Sequence, residues 1–271
     1  KFWKMHGLGN DFLVIDMIEK KVNLNSQLIK AMADRKTGVG FDQLLTISAP
    51  TDPESDFLYR IFNADASEAE QCGNGARCIH TFVREKGLTS REEVKLQTKK
   101  GLIKCSLEDD KNISVEIGVP DFSPEAFQSS ALKKEGDYYL LNLKNNAEPL
   151  AIIPVSIGNP HAVVEVKNLQ DYPVTEVGKA VSGHKSFRDG VNVSFVELIS
   201  RTQLKVRVYE RGVGETDACG SGAGASVFAS NKLNFCDKNV EVSMAGGNLF
   251  VEITRDEHIL TIGEAKDVFV G

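Results

Sequence analysis

The amino-acid sequence predicts an α+β protein made of two pseudo-symmetric lobes, each a curled, barrel-like mixed β-sheet around a central helix. Three observations carry this reading. Short strands dominate both halves and do not alternate regularly with helices, which argues against a doubly wound sheet. Two loops, "EAEQCGNGARC" (68–78) and "ETDACGSGAGA" (215–225), share the frame acid, spacer, Cys-Gly-x-Gly-Ala, with Cys72 and Cys219 147 residues apart. The stretch after each cysteine is small or apolar around most of a helical circumference at its start, so it requires burial on several sides.

Val, Ile and Phe in period-two alternation mark the strands. In the first half these are "FLVIDM", "QLLTIS", "FLYRIF", "EVKLQT", "IKCSLE" and "ISVEIG"; in the second, "AVVEV", "VSFVEL", "LKVRVYE", "VEVSM", "LFVEI" and "ILTIG". Helices are expected at 26–35, 74–86 and 221–232. The most loop-like stretch is "GVPDFSPEAFQSS" (118–130), punctuated by Pro120 and Pro124. It suggests an N-terminal lobe over 1–118, rejoined by a C-terminal strand at 263–271, and a C-terminal lobe over 119–262.

Other landmarks repeat near the same offset. Gly9-Asn10 and Gly158-Asn159 each precede an apolar strand, Gln43 aligns with Asn192, and Asn63 with Glu210. Each pair alone is weak; together they keep order and spacing within two residues. A duplicated domain accounts for this and places equivalent landmarks at a cleft between the lobes.

Composition narrows the function classes. The chain has 271 residues, 41% hydrophobic and 26% charged, with a net charge of −6, which is ordinary for a globular protein. There is no basic stripe to bind nucleic acid and no apolar run long enough for a membrane helix. The N-terminal "KFWKMHGLGNDF" lacks a signal-peptide layout, so a cytoplasmic protein is expected. Five cysteines (72, 78, 105, 219, 236) cannot form a complete disulfide framework, and no Cys-x-x-Cys occurs. The five histidines are scattered, so no metal site is expected.

The chemistry rests on the two cysteine loops. A helix N-terminus has unpaired N–H groups and a partial positive charge. Glycines let an anion approach that backbone, and the same field favours a thiolate. Each loop therefore combines a base with an anion cradle. Two of them facing one carbon could invert a stereocentre, one thiolate removing a proton while the opposite thiol returns another, with the helix ends stabilising the charge that develops. This scheme requires no pyridoxal cofactor, and nothing in the sequence calls for any other. A lone Cys before Gly is usually inert packing; the matched frames argue against that here. Cys78, Cys105 and Cys236 read as structural. His161 alone reads equally as a packed residue or an active-site neighbour, and Glu210-Arg211 as a surface pair or a cleft lining.

The stretches "KMHGLGNDF", "GVGFDQ", "FNADASEAEQCGNGARC", "GNPHAV", "DGVNVSF" and "YERGVGETDACGSGAGA" resemble the diaminopimelate epimerase family over almost the whole chain. The resemblance implies that Cys72 and Cys219 are the acid/base pair, supported by His161 and Glu210. It implies that Gly73, Asn74, Gly220 and Ser221 bind the reacting end of the substrate, and that Asn10, Gln43, Asn63, Asn159, Asn192, Glu210 and Arg211 contact it. It further implies a cofactor-free epimerase of LL- and meso-diaminopimelate in lysine and cell-wall precursor synthesis, with a small amino-acid substrate; a homodimer is the expected assembly. Ala66, Gln71 and Gly224 depart from the family pattern without removing a chemical group. A racemase of another amino acid, such as proline, and a two-lobed amino-acid binding protein are the alternatives. Glu210 with Arg211 argues against the first, and the paired cysteines against the second.

Overall fold

The computed structural model describes residues 1–18, 20–109, 111–123, 132–144 and 148–271. Its architecture is mixed α+β: nineteen strands and four helices among the described residues, divided into two compact units. One unit comprises Lys1–Glu116 with Ile262–Gly271, the other Ile117–Thr261.

The first unit contains β1 (Trp3–Gly7), β2 (Asn10–Asp16), α1 (Ser26–Ala33), β3 (Gln43–Ser48), β4 (Phe57–Asn63), β5 (Glu68–Ala69), α2 (Gly73–Glu85), β6 (Glu93–Thr98), β7 (Gly101–Leu107) and most of β8 (Asn112–Gly118). In the second lie β9 (Lys133–Glu135), β10 (Tyr138–Leu141), β11 (Leu150–Ser156), β12 (Pro160–Glu165), α3 (Val174–Ser182), β13 (Asn192–Ser200), β14 (Gln203–Glu210), β15 (Gly214–Thr216), α4 (Gly220–Lys232), β16 (Asn239–Met244), β17 (Gly247–Ile253) and the start of β18 (Ile259–Glu264). The last strand, β19 (Lys266–Val270), pairs with β1 in the first unit.

The same order of pairings runs through each unit. In the first, β2 is parallel to β3, β3 antiparallel to β4, and β4 bonds β5 antiparallel and β6 parallel, after which β7 turns back. In the second, β12, β13, β14, β15, β16 and β17 repeat that sequence of relations. Parallel neighbours need a crossover. Helices supply it: α1 and α3 span the first parallel step of each unit, α2 and α4 the second. Because α2 packs on β1, β2 and β3 and also on β7, the sheet curls around it; α4 likewise touches β11 to β14 and β17.

Burial follows from composition. On α2, Ala76, Cys78, Ile79, Phe82 and Val83 are essentially inaccessible; each large apolar side chain there contributes about 1.5–3 kcal/mol. On α4 every residue from Gly222 to Ser230 is buried, and all but Val227 and Phe228 are small. A Cβ on Gly222 would lie 2.7 Å from Val208 Cγ2, and one on Gly224 2.9 Å from Ile117 Cδ1.

The helix expected at 26–35 ends at Ala33, because the Asp34 carboxylate accepts from the N–H groups of Lys36 and Thr37 and starts a turn. Helix α3 was not expected. It begins after Pro173 without a side-chain cap and is held by burial of Val174 and Val181, with Gly178 pressed on Tyr209. Strand β11 also escapes the sequence pattern, since Pro154 interrupts it; in the fold Pro154 sits opposite Ala162. Of the loop expected at 118–130, Asp121 forms a bridge with Ser156, while residues 124–130, Pro124 included, lie outside the described residues. Among the described residues no helix is long and apolar enough to cross a membrane.

Candidate active site

Cys72 and Cys219 occupy the same place in their respective units. Each is the extended N-cap residue of a 13-residue helix, with φ/ψ of −149°/110° and −134°/107°. The chain enters both helices from a short strand, β5 or β15, that pairs back onto β4 or β14.

In the first unit the Cys72 sulfur accepts from the Gly75 N–H at 3.4 Å and lies 3.8 Å from Asn10 Oδ1. Asn10 opens β2 after Leu8 and Gly9, both at positive φ, and its amide donates to Asp42 at 3.0 Å. Asp42 and Asp11 share Arg35, and Asp11 also takes Lys4 at 2.5 Å. Those ion pairs hold the Asp11 carboxyl well below the usual carboxylate range against a desolvation cost. Gln43 and Asn63 face each other across β3 and β4, Gln43 Nε2 donating to Asn63 Oδ1 at 2.9 Å. The buried Tyr59 hydroxyl donates to the Cys72 carbonyl at 3.3 Å. A Cβ on Gly75 would overlap that hydroxyl, so the glycine is there for close approach. Asn74, also buried, accepts a hydrogen bond from Arg77.

In the second unit the cysteine itself bonds a carboxyl and a serine hydroxyl. Ser221 Oγ is the hub of the network: Asn159 donates to it at 3.1 Å, His161 Nε2 bonds it at 3.0 Å, and Cys219 Sγ lies 3.5 Å away. His161 is fully buried, its Nδ1 bonded to Ser194 Oγ at 3.3 Å; burial pushes its pKa down to about 3, so the ring is neutral. Glu210 accepts from Thr216 at 2.6 Å and hydrogen-bonds Cys219. Burial raises the Glu210 pKa above the ordinary carboxylate value, opposed by those two hydrogen bonds. The β12–β13 register sets His161 beside Asn192, and Asn192 Oδ1 accepts from the Arg211 backbone N–H at 2.9 Å. The exposed Arg211 guanidinium is anchored on the Asp189 carbonyl at 2.9 Å.

The structure thus gathers Asn10, Cys72, Gly73 and Asn74 around one helix start, with Gln43 and Asn63 paired on the adjoining strands. It gathers Asn159, His161, Glu210, Cys219, Gly220 and Ser221 around the other, with Asn192 supporting Arg211. Tyr59, Arg77, Ser194 and Thr216 were not singled out from sequence; Ser194 and Thr216 lie two positions along the ladder from the residues opposite His161 and Glu210, which only the strand register shows. Cys78, Cys105 and Cys236 are buried, with pKa values raised by desolvation, as suits packing thiols. Among the described residues no three His, Cys, Asp or Glu side chains converge as metal ligands.

Solved structures that share this fold come from isomerase and biosynthetic proteins. A hydroxyproline epimerase from Agrobacterium vitis, with bound trans-4-hydroxy-L-proline, matches with TM-score 0.69 at 13% identity, over 99% of this chain and 90% of that one. A phenazine biosynthesis protein of the PhzF family from Bacillus anthracis matches with TM-score 0.68 at 18% identity, over 99% and 96%. A probable proline racemase from Agrobacterium radiobacter K84 matches with TM-score 0.68 at 13% identity, over 100% and 92%. These likenesses show a shared fold. Within it, the model of the diaminopimelate epimerase family matches residues 2–123 and 153–268, and the chain belongs to that family.

Proposed function

We propose that this protein is a cofactor-independent epimerase that interconverts LL- and meso-diaminopimelate in lysine and peptidoglycan precursor synthesis. The observation that carries the reading is the pair of cysteines capping two equal helices, each followed by Gly-x-Gly. One thiolate takes the α-proton, leaving a carbanion whose charge spreads onto the carboxylate. The other thiol donates its proton to the opposite face of that carbon, so the two sulfurs exchange protonation states and the substrate gains and loses one proton. The helix N–H groups at Gly73-Asn74 and Gly220-Ser221 receive the carboxylate. Glu210, with its raised pKa, and neutral His161, reached through Ser221, adjust the proton on Cys219.

Arg211 is assigned to the distal carboxylate, which its planar fork can hold in two parallel hydrogen bonds. Glu210 and the amide oxygens of Asn10, Gln43, Asn63, Asn159 and Asn192 are assigned to the substrate's ammonium groups and orientation. The repeated order of pairings supports an origin by duplication, with two pseudo-symmetric lobes acting on one small amino acid. A cytoplasmic location suits thiols that must stay reduced, and the homodimer remains part of the proposal.

The test is a substrate panel followed by chiral chromatography: LL-diaminopimelate, L-proline, trans-4-hydroxy-L-proline and L-lysine. Epimerisation of the first alone supports the reading. Turnover of proline or hydroxyproline in preference to diaminopimelate moves the protein to the racemase side of the fold, and turnover of none overturns the enzymatic assignment.

A further inference from the structure

Five residues after each cysteine the two helices differ. On α4 the position is Gly224, where a side chain would meet Ile117, Ile259 and Ile157. On α2 it is Arg77, an arginine with no measurable exposure. Long helical side chains lean toward the N-terminus, so the Arg77 guanidinium reaches back over the first turn. There Nη2 donates to Asn74 Oδ1, while Nε and Nη1 are buried without a hydrogen-bond partner. A buried, incompletely paired guanidinium is costly to keep.

We propose that Arg77 is a positioning residue, its buried cation holding Cys72 as the resting thiolate and its Nη2 fixing the Asn74 side chain beside it. The inference rests on the reading of Cys72 as an acid/base group, but the ionisation it invokes can be measured without substrate. The titratable groups around the guanidinium are thiols: Cys72, Cys78 on the same helix and Cys105 on β7. Desolvation pushes Cys105 up to about 12 and Cys78 higher still, so both stay protonated. Cys72, at the partly exposed helix start, is the one thiol of the three that is not fully buried. From β4, the Tyr59 phenol faces the same thiols, and burial keeps it neutral. The charges on β1 and β2 are engaged elsewhere, Lys4 with Asp11 and the Gly40 carbonyl, and Asp11 also with Arg35. His6 on β1 has a buried Nδ1 without a partner, and Asp267 on β19 acts on Cys78 and bonds Glu85.

The second unit has the opposite electrostatics. Gly224 brings no cation, and Cys219 bonds a carboxyl, Glu210, where the first unit has the neutral Asn63. The free enzyme therefore rests with Cys72 as thiolate and Cys219 as thiol, which gives the two equivalent cysteines distinct starting roles.

The test is iodoacetamide labelling of the whole enzyme across the pH range, with the rate at each cysteine read by peptide mass spectrometry. In the wild type the Cys72 midpoint should fall below the ordinary thiol value of about 8.5 and below that of Cys219. In Arg77→Met it should rise by about one pH unit or more, the effect of losing a nearby opposite charge. Labelling near neutral pH should then slow about tenfold at Cys72 and stay unchanged at Cys219. Arg77→Lys should keep most of the Cys72 midpoint yet raise KM, because the charge remains and the Asn74 contact is lost. A wild-type Cys72 midpoint at or above that of Cys219 overturns the proposal even if Arg77→Met does not fold; so does an unchanged Cys72 curve in folded Arg77→Met. An enzyme inert toward diaminopimelate with the shifted curves would instead count against the proposed function and leave this inference standing.

Discussion

Acid should weaken the fold through one side chain more than any other of the second network. His161 is fully buried, and its pKa falls from the ordinary 6.5 to about 3 because the imidazolium cannot be solvated there. A depressed histidine pKa favours the folded state above the unfolded value; that stability is lost as pH falls from 6.5 toward 3, where the unfolded chain takes a proton that the folded chain refuses. Each pH unit in that window costs about 1.4 kcal/mol, so near pH 5 the loss from this group is about 2 kcal/mol. Such a loss lowers Tm by roughly 4–8 °C at about 2–4 °C per kcal/mol. The perturbation is His161→Gln, which keeps a hydrogen-bonding amide for Ser221 but cannot titrate. The assay is thermal unfolding of wild type and variant between about pH 8 and pH 5. The variant should be less stable at pH 8, where its imperfect network counts, but its Tm should fall less on acidification. His80, also lowered by burial, contributes to both proteins alike and cancels in the comparison. Parallel curves for the two proteins would refute the reasoning.

Three further outcomes follow from the same geometry. Cys72→Ala and Cys219→Ala should each cut turnover by at least about 10²-fold, the low end for a positioned acid or base, with unfolding curves close to wild type; a variant retaining most of its turnover removes that cysteine from the chemistry. Arg211→Lys keeps the charge but loses the fork, so kcat/KM for diaminopimelate should drop by at least about tenfold, and unchanged kinetics would place recognition of the distal carboxylate elsewhere. Gly75→Ala would push a methyl group into the Tyr59 hydroxyl and should cost about 1–3 kcal/mol; Tyr59→Phe added to it should restore part of that stability, whereas strictly additive losses in the double variant would show that the contact is not the cause.

The sequence was most informative where a residue's neighbours are local. Strands such as Ile113–Ile117 and Val206–Val208 follow from β-branched alternation, and the starts of α2 and α4 from Cys-Gly-x-Gly, within a residue of the structure. The Asn10, Gln43, Cys72 and Asn159, Asn192, Cys219 series was legible because equal spacing carried into equal pairings. Helix α3 was hidden because its order comes from packing, with Gly178 against Tyr209 rather than a capping signal. Strand β11 was hidden by Pro154, harmless only because of where it lies in the ladder. Arg77 was hidden for a different reason. An arginine on a helix ordinarily reads as a solvated charge, and only burial of the first two turns of α2 against the strands turns it into an internal cation. Ser194 and Thr216, whose hydroxyls reach His161 and Glu210 from neighbouring strand positions, required the register.

Two thiols exchanging roles on a single carbon is the central claim, and the fate of solvent hydrogen tests it most directly. LL-diaminopimelate is incubated with enzyme in heavy water, and at early times both recovered substrate and meso product are separated and analysed for α-deuterium. If Cys72 and Cys219 act from opposite faces, the proton removed stays on one sulfur while the other delivers deuterium. The product should then carry α-deuterium nearly completely while the recovered substrate remains protiated. Equal early labelling of both pools would mean that a single group removes and returns the proton, and would contradict the account.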